Sequence, residues 1–240
     1  MNLSVEPNER LTYGVAYEDD VLVVVEKPAR RATQPGKGHA TDTLLNALFA
    51  RYGAQLQNLG AARDFGLLHR LDREASGLLV VALTAAAYDA LRAQFEERTV
   101  GKFYWAVTRR APAKPEGVIN RPIAEVTGRM KTAKISPTGK PSVTAYRTLE
   151  ASDSAALLEC RPATGRLHQI RVHLASIGCA ILGDTIYAPA AARGVAPRLA
   201  LHAHRLTFAH PLTGAPVDAR CGWPRDLGPL LKRMNLHKPE

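Results

Sequence analysis

The sequence has few cysteines, and their spacing excludes several small metal and redox modules. Its 240 residues include three cysteines, at positions 160, 179 and 221, and no C-x-x-C pair. A zinc ribbon or a thioredoxin motif needs such a pair. An odd number of widely spaced cysteines is typical of reduced, buried thiols in a cytosolic chain.

Long apolar runs are also absent. The longest, at 21–25 and 78–83, are far shorter than the ~20 residues that a membrane span requires. The first residues contain no apolar stretch of the signal-peptide type. We therefore predict a cytoplasmic protein with no membrane partner.

The motifs of the common nucleotide and metal sites are missing as well. The sequence contains no G-x-G-x-x-G, no Walker A motif and no H-E-x-x-H, so no nucleotide cofactor is indicated. His168 and His173 are five residues apart, and His202 and His204 share one face of a predicted strand. Neither pair belongs to a cluster with the spacing of a zinc site, so we predict no metal and no cofactor.

What the sequence has in excess is arginine. It contains 32 Lys and Arg residues against 22 Asp and Glu residues, a formal net charge of +10 at pH 7, and 23 of the 32 are arginine. The planar guanidinium group forms two parallel hydrogen bonds to a phosphate and stacks on bases. This excess is typical of nucleic-acid-binding proteins, although a GC-rich genome that favours Arg and Ala would give the same composition.

Apolar periodicity predicts strands in runs with few helices between them. Position 41 or 42 is expected to cap the first helix, Gly178 to end the third, and the region 111–141 to form loops and turns. The absence of regular βαβ alternation favours an α+β fold with mixed or antiparallel sheets, in one domain over 1–240 with its core at about 20–216. The predicted strands are 21–27, 78–83, 102–108, 143–150, 155–160, 199–203 and 205–208, and the predicted helices are 41–52, 84–98 and 170–177.

The segment 69–77, HRLDREASG, precedes the predicted strand 78–83. Loops at strand ends are places where a rigid scaffold holds reactive groups. Asp72 lies between Arg70 and Arg73, and an opposite charge favours the ionised carboxylate that a nucleophile or base needs. The alternative is an exposed Asp–Arg pair on a surface turn, which contributes little.

Two further segments carry candidate functional residues. ATGRLHQIRVH, ending at His173, is a turn that leads into a predicted helix, and helix N-termini bind anions. Arg171 could reach a carboxylate on a neighbouring loop from there, or it could be solvated while His168 and His173 form core hydrogen bonds. Tyr104 lies on the predicted strand 102–108, where a tyrosine is usually part of the packing.

Five segments match, in order, the motifs of one enzyme family. HRLDREASGLLVVAL is similar to H-R-L-D-x-x-T-S-G-L, and ATGRLHQIRVHLASIGCAILGDTIY to T-G-R-x-H-Q-I-R-V-H followed by G-x-x-I-x-G-D-x-x-Y. VLVVVEKP, GKFYWAV and APRLALHAH are similar to L-x-V-x-N-K-P, K-x-Y-x-A-x-V and L-x-L-H-A. The motifs extend from about residue 20 to residue 216. Over most of its length the chain resembles pseudouridine synthases of the RluA type.

The resemblance implies the pseudouridine synthase fold, with helices flanking the central sheets and a central RNA-binding cleft. These enzymes break the N-glycosidic bond of a uridine in RNA, rotate the uracil and rejoin it through C5, without a cofactor or metal. The resemblance makes Asp72 the essential carboxylate, Tyr104 the group that takes a proton near the target uracil, and Arg171 the partner of Asp72. It places Arg70 in the space of the flipped base and Leu201 against the uracil. Loop composition adds candidate phosphate contacts, which are Arg30, Arg31, Lys37, Lys131 and Lys134.

The sequence departs from the family pattern at four places. Glu26 stands where asparagine is usual, and Arg30 and Arg31 replace the glycine that follows Lys-Pro. Ala75 stands in place of threonine, and Leu167 in place of threonine or serine. None of these residues is a proposed catalytic group, so the departures concern the choice of RNA and the shape of loops.

The sequence indicates the RNA substrate less specifically than it indicates the reaction. About 18 residues precede the core, too few for the S4-like RNA-binding domain that many relatives carry, so we expect the core to select its RNA. Short relatives modify tRNA, 23S rRNA or both, and the segment 190–203 most resembles the form that acts on both. We expect a monomer. Two alternatives remain open, a catalytically inactive RNA-binding module of the same fold and a metal-dependent RNA hydrolase that uses the histidines.

Overall fold

The computed structural model describes residues 3–128 and 131–239, and within them eleven β-strands and five α-helices. The strands are β1 (Gly14–Glu18), β2 (Leu22–Lys27), β3 (Ser76–Ala82), β4 (Gly101–Thr108), β5 (Glu116–Asn120), β6 (Ile123–Val126), β7 (Thr132–Ile135), β8 (Val143–Ala151), β9 (Ala156–Pro162), β10 (Leu201–Ala209) and β11 (Pro216–Arg220). The helices are α1 (Leu44–Leu59), α2 (Ala85–Glu96), α3 (Gln169–Ser176), α4 (Ala190–Arg193) and α5 (Gly228–Arg233), with short 3-10 helices at Ala61–Gly66 and Arg225–Leu227. Among the described residues, no helix has the length and apolar character that crossing a membrane requires.

The apolar runs form strands where the sequence predicts them. The predicted strands 21–27, 78–83 and 102–108 correspond to β2, β3 and β4, and 143–150 and 155–160 to β8 and β9. β2 and β3 pair antiparallel from Leu22↔Ala82 to Lys27↔Gly77 and are buried almost throughout. Gly178 follows α3 with φ 79°, as its predicted helix-ending role requires. The predicted α+β fold with mixed or antiparallel sheets is confirmed.

The described residues form two compact units. The first contains the chain up to Gly101 together with Arg205–Cys221, and the second contains Lys102–His204 and the chain from Gly222 onward. In the first unit β1, β2 and β3 form an antiparallel ladder, and β11 pairs with β10. In the second unit β4, β9, β8 and β5 pair antiparallel in that order, and β6 and β7 form a separate two-stranded sheet. The single catalytic domain over 1–240 stays a prediction.

The prediction of loops and turns over 111–141 is wrong, because that stretch contains β5, β6 and β7. β5 is largely exposed, and Val118 is 65% exposed. Backbone pairing with β8, from Glu116↔Arg147 to Asn120↔Val143, forms the strand instead. A strand that is held at an exposed edge by backbone hydrogen bonds has no regular burial pattern for the sequence to reveal.

Two predicted boundaries also differ from the structure. The cap of α1 is Thr43, whose hydroxyl accepts from the backbone N of Asn46 while the Asn46 side chain accepts from the backbone N of Thr43. The two strands predicted at 199–203 and 205–208 are one strand, β10. It continues past Arg205 because its backbone pairs antiparallel with β11, from Arg205↔Arg220 to Ala209↔Pro216.

The side chain of Lys27, at the end of β2, is fully buried. Its ammonium group donates to the carbonyl oxygens of Pro28 and Arg31 at 2.8 Å each and of Ala75 at 2.6 Å, with that of Arg73 at 3.3 Å. An ammonium group has three N–H donors, and all of them need acceptors once the group leaves water. Lys27 therefore holds the backbone after β2 and the backbone before β3 around one charge.

The second unit buries an ion pair between Arg171 of α3 and Asp184. Nε of Arg171 donates to Oδ2 and Nη2 to Oδ1, both at 2.8 Å, and the two side chains are 5% and 1% exposed. Oδ1 also accepts from the backbone N of Ile186 at 2.9 Å and of Tyr187 at 3.1 Å. Burial alone would raise the pKa of Asp184, but Arg171 and the two N–H groups hold that pKa below its ordinary value.

Replacing Lys27 by methionine tests the role of the buried ammonium group. Lys27→Met keeps the length of the side chain and removes its donors. We expect the free energy of unfolding to fall by about 2–3 kcal/mol, because buried carbonyl oxygens lose their partner. Urea unfolding followed by circular dichroism measures the change. Lys37→Met, at an exposed lysine of the same unit, is the control, and equal unfolding midpoints for the two variants would contradict the role of Lys27.

Asp184→Asn leaves the guanidinium group of Arg171 buried without its carboxylate. At pH 7 we expect the free energy of unfolding to fall by about 3–5 kcal/mol. Because the pKa of Asp184 is lowered in the folded protein, its contribution to stability is fully present above about pH 4 and is lost as the pH falls through the folded-state pKa. The stability difference between wild type and variant should therefore narrow below about pH 4.

Urea titrations at pH 7 and at about pH 3 measure this difference. Asp89→Asn is the matched control, because Asp89 forms an exposed pair with Arg63, and it should change stability much less. A stability difference for Asp184→Asn that is the same at both pH values would show that the ionised carboxylate is not its cause.

Candidate active site

Asp72, the predicted catalytic carboxylate, lies in the loop before β3, and hydrogen bonds hold the backbone of this loop. The Thr33 hydroxyl donates to the carbonyl oxygen of Leu71 at 3.1 Å and accepts from its backbone N at 3.3 Å. The Asp72 carbonyl accepts from the N of Ala75 at 3.1 Å, and the Ala75 carbonyl accepts from Lys27. Thr33, Leu71 and Ala75 are buried, whereas Asp72 is half-buried. A fixed backbone with a partly accessible carboxylate suits a reactive group on a rigid scaffold.

Of the residues just before Asp72, His69 is packed against the fold and Arg70 is exposed. Nε2 of His69 accepts from the backbone N of Val80 at 3.2 Å, and its ring lies 5.1 Å from the ring of Phe95. His69 therefore anchors the start of the loop to β3 and α2. Arg70 is exposed, as its predicted contact with RNA requires.

Tyr104 lies in β4 and is 8% exposed. Opposite it in β9 lies Cys160, and burial raises the pKa of that thiol. Lys102, two residues before Tyr104, lies on the same face of the strand, and burial lowers the pKa of its ammonium group. The environment of Tyr104 is thus strongly desolvated, which suits contact with a flat, uncharged base.

Backbone hydrogen bonds attach two further segments to the strand that carries the tyrosine. Leu182 donates to the carbonyl of Val107 at 2.9 Å, Ala200 donates to the carbonyl of Leu182 at 3.0 Å, and Val107 donates to the carbonyl of Ala200 at 3.0 Å. Asp184 follows the first of these segments and Leu201 the second. The second unit therefore joins the segments of the predicted Leu201 and of the Asp184 pair to β4.

The glycine of the G-D-x-x-Y motif is required by this packing. Gly183 has φ 75°, and a Cβ atom there would lie 2.0 Å from the carbonyl oxygen of Arg198. Only glycine tolerates both conditions. Arg198 itself is buried and donates Nε and Nη2 to the Asp226 carboxylate at 2.6 and 3.0 Å. The backbone just before Leu201 is thereby held from two sides.

The polar residues of the G-R-x-H-Q-I-R-V-H motif serve mainly to support the fold. Oε1 of Gln169 accepts from the hydroxyl of Thr164 at 2.6 Å, which closes the turn before α3. Nδ1 of His173 lies 2.9 Å from the hydroxyl of Thr144, and Nε2 lies 3.0 Å from a backbone carbonyl oxygen. Burial lowers the pKa of His173. The core hydrogen-bonding alternative is confirmed for this histidine.

The other three histidines considered as metal ligands also have packing contacts. Nδ1 of His168 lies 2.8 Å from the hydroxyl of Tyr187. The ring of His204 stacks on that of Trp105, with 3.9 Å between ring centroids. Burial, reinforced by nearby positive charge, lowers the pKa of His202 to about 3. The contacts of His168 and His204 favour a structural role for these two side chains.

The structure gives Arg171 a partner, Asp184, that sequence reasoning missed. The acid was visible in the motif G-D-x-x-Y, but spacing alone did not connect it to an arginine thirteen residues earlier. Lys27 and Thr33, which hold the loop of Asp72, were missed too, although Lys27 belongs to the motif V-E-K-P. The pairing of Arg171 with Asp72 stays a prediction.

The predicted phosphate contacts differ in their surroundings. Arg31 is half-buried and donates Nη1 to the carbonyl oxygen of Thr12, and burial lowers the pKa of its guanidinium group. It therefore also has a structural role. The other four are exposed, namely Arg30, Lys37, Lys131 and Lys134.

The chain is similar to RNA pseudouridine synthases in sequence and in structure. The sequence profile of the family described as RNA pseudouridylate synthase matches residues 21–176. Ribosomal large subunit pseudouridine synthase D of Zymomonas mobilis is 38% identical over 231 residues, which cover 92% of this chain and 73% of that protein. The uncharacterized RNA pseudouridine synthase YlyB of Bacillus subtilis is 34% identical, over 94% of this chain and 74% of its own.

A solved structure leads to the same family. Human RNA pseudouridylate synthase domain containing 4 superposes with a TM-score of 0.73 and 28% sequence identity, over 95% of each chain. The profile match includes the segments of Asp72, Tyr104 and Arg171. This chain therefore belongs to the RNA pseudouridylate synthase family and is an RNA pseudouridine synthase, an isomerase.

Proposed function

We propose that this enzyme isomerises uridine in large-subunit ribosomal RNA and that Asp72 is its essential carboxylate. The anchoring of the Asp72 loop carries the proposal, since Thr33 and Lys27 hold the backbone on either side of a half-buried carboxylate. A reacting group whose position is fixed in advance lowers the entropic cost of reaching the transition state.

The reaction is a rearrangement in which atoms and electrons balance. The bond from C1′ to N1 breaks, a bond from C1′ to C5 forms, a proton leaves C5 and N1 gains one. Asp72 acts on the ribose in this scheme, either by attack on C1′ or by assisting glycosidic cleavage. On the second route Tyr104 takes a proton from C2′ as the glycosidic bond breaks, and this proton returns to C2′ when the bond from C1′ to C5 forms.

Three further residues complete the proposed site. Arg171 orients Asp72 and is itself held by Asp184. Leu201 packs against the uracil. Arg70 enters the space that the flipped base leaves, and stacking of its guanidinium group offsets part of the few kcal/mol that base flipping costs.

The choice of substrate rests on charge and on a relative. The net charge of +10 and the exposed basic residues support phosphate contacts, which set affinity and register on RNA. The Zymomonas mobilis relative is named for the large ribosomal subunit, and tRNA is the alternative substrate. We place the enzyme in the cytoplasm, because its RNA is made and assembled there, and we propose that it acts as a monomer.

A non-catalytic RNA-binding module of the same fold is the second candidate. It predicts RNA binding without any chemical change. The presence of Asp72, Tyr104 and Arg171 together argues against it. A metal-dependent hydrolase would shorten the RNA and lose activity in EDTA, and we expect neither.

Asp72→Asn tests the role of the carboxylate. We expect turnover to fall by a factor on the order of 10⁴ or more, because an amide group cannot replace an ionised carboxylate in this chemistry. RNA binding should persist. RNA labelled with tritium at C5 of uridine measures turnover, since the new bond to C5 releases the tritium to water. Asp153→Asn, at an exposed aspartate between β8 and β9, is the control. Undiminished tritium release by Asp72→Asn would refute the assignment.

Mapping of pseudouridine identifies the substrate. RNA from cells that lack the gene should lose one or a few sites in 23S rRNA, and the wild-type gene but not Asp72→Asn should restore them. Sites lost only from tRNA would refute the proposed substrate while leaving the reaction intact. No lost site in either pool, with RNA binding preserved, would favour the non-catalytic module.

A further inference from the structure

The hairpin of β6 and β7 is attached to the second unit at its base, where Ile123 donates to the carbonyl oxygen of Lys140 at 3.0 Å and accepts from its backbone N at 2.8 Å. It forms a two-stranded sheet of its own, paired from Ile123↔Ile135 to Val126↔Thr132. Its underside meets α3 through an apolar group that we name the hairpin cluster, which consists of Ile123, Ala133 and Val172. The side chains of Ile135, Leu167 and Tyr187 pack against this cluster. Apolar packing is not directional, so hydrogen bonds beyond the base of the hairpin help to set its orientation.

Tyr187 supplies one such hydrogen bond and also contacts the buried ion pair. Its hydroxyl accepts from the backbone N of Ala133 in β7 at 2.8 Å and shares a second hydrogen bond of 2.8 Å with Nδ1 of His168. Its ring lies under the guanidinium group of Arg171, 5.1 Å from the ring centroid to Cζ. Its backbone N donates to Oδ1 of Asp184. One side chain therefore joins the hairpin to Arg171.

The hydrogen bond between Ala133 and Tyr187 lies beside the basic residues of the hairpin. Ala133 is buried, while Lys131 and Lys134 are exposed on either side of it in the sequence. Successive side chains of a strand point to opposite faces. The side chain of Ala133 faces the hairpin cluster, so the side chain of Lys134 projects to the opposite, exposed face. A phosphate bound by these lysines would be fixed relative to Tyr187.

We propose that Tyr187 is a positioning residue that orients the β6–β7 hairpin relative to Arg171, so that RNA bound by the hairpin lysines is held in register with the reaction. This inference rests on the proposed function for the roles of Arg171, Lys131 and Lys134. The hydroxyl positions the hairpin, and the ring supports the guanidinium group. The two contributions can be removed one at a time.

Tyr187→Phe removes the hydroxyl and keeps the ring over Arg171. The N–H of Ala133 then loses its acceptor, and RNA binding must restore the hairpin orientation that the hydroxyl maintained. We expect KM for a transcript of large-subunit ribosomal RNA to rise about three- to tenfold, the equivalent of one hydrogen bond, with kcat changed less than about twofold. Tyr187→Leu, which also removes the ring, should lower kcat as well.

A double-mutant cycle separates positioning from general destabilisation. If Tyr187 acts through the hairpin lysines, Tyr187→Phe should raise KM in the wild type and leave KM unchanged in the Lys131→Ala/Lys134→Ala background. Tyr52→Phe is the matched control, because its hydroxyl binds Glu18 in the first unit, and it should leave KM and kcat unchanged. Melting temperatures verify that every variant is folded.

The proposal is overturned if Tyr187→Phe raises KM by the same factor in both backgrounds, or if KM does not change in the wild type. Failure of the proposed function is a separate result, since the wild type would then release no tritium from the transcript. In that case the same cycle, measured as the Kd of the transcript in the Asp72→Asn protein, still decides whether Tyr187 acts through the hairpin.

Discussion

The burial of one ammonium group determines the backbone around the predicted catalytic carboxylate. The Lys27 side chain is completely buried. Its ammonium nitrogen lies 2.6–2.8 Å from its nearest acceptors, which are main-chain oxygens of the segment after β2 and of the segment before β3. The charge is satisfied only when both segments are in place. Asp72 lies within the second segment, three residues before Ala75. Because the buried cation needs these carbonyl oxygens, it also fixes the backbone of the loop that contains Asp72.

The second unit meets a comparable requirement with a different partner. Arg171 is neutralised by the carboxylate of Asp184, which accepts from a planar fork and from two backbone N–H groups. Carbonyl oxygens do not titrate in mild acid, whereas a carboxylate does. The support of Lys27 is thus independent of pH on the acid side, and the support of Arg171 is lost once Asp184 is protonated. The two anchors therefore differ in their sensitivity to acid.

Apolar periodicity predicts the strands that bury nearly every side chain, β2, β3, β4 and β9, because burial is what the pattern records. It does not predict β5, whose backbone pairing leaves no such record, nor β1, which is mostly exposed. Motif resemblance likewise named Asp72, Tyr104 and Arg171 but not the partner Asp184. A motif locates residue types along the chain, while a hydrogen-bonded fork depends on how α3 and the following loop meet in space.

The departures from the family pattern can be understood from the atoms that the structure uses. Ala75 replaces a threonine, yet it serves Lys27 through its carbonyl oxygen, which every residue type has. Leu167 replaces a threonine or serine, and its side chain packs against the hairpin cluster, where an apolar group adds buried area. The first change leaves the backbone at Asp72 intact, and the second strengthens the base of the β6–β7 hairpin. We infer that such departures change how RNA is held and leave the bond rearrangement itself unchanged.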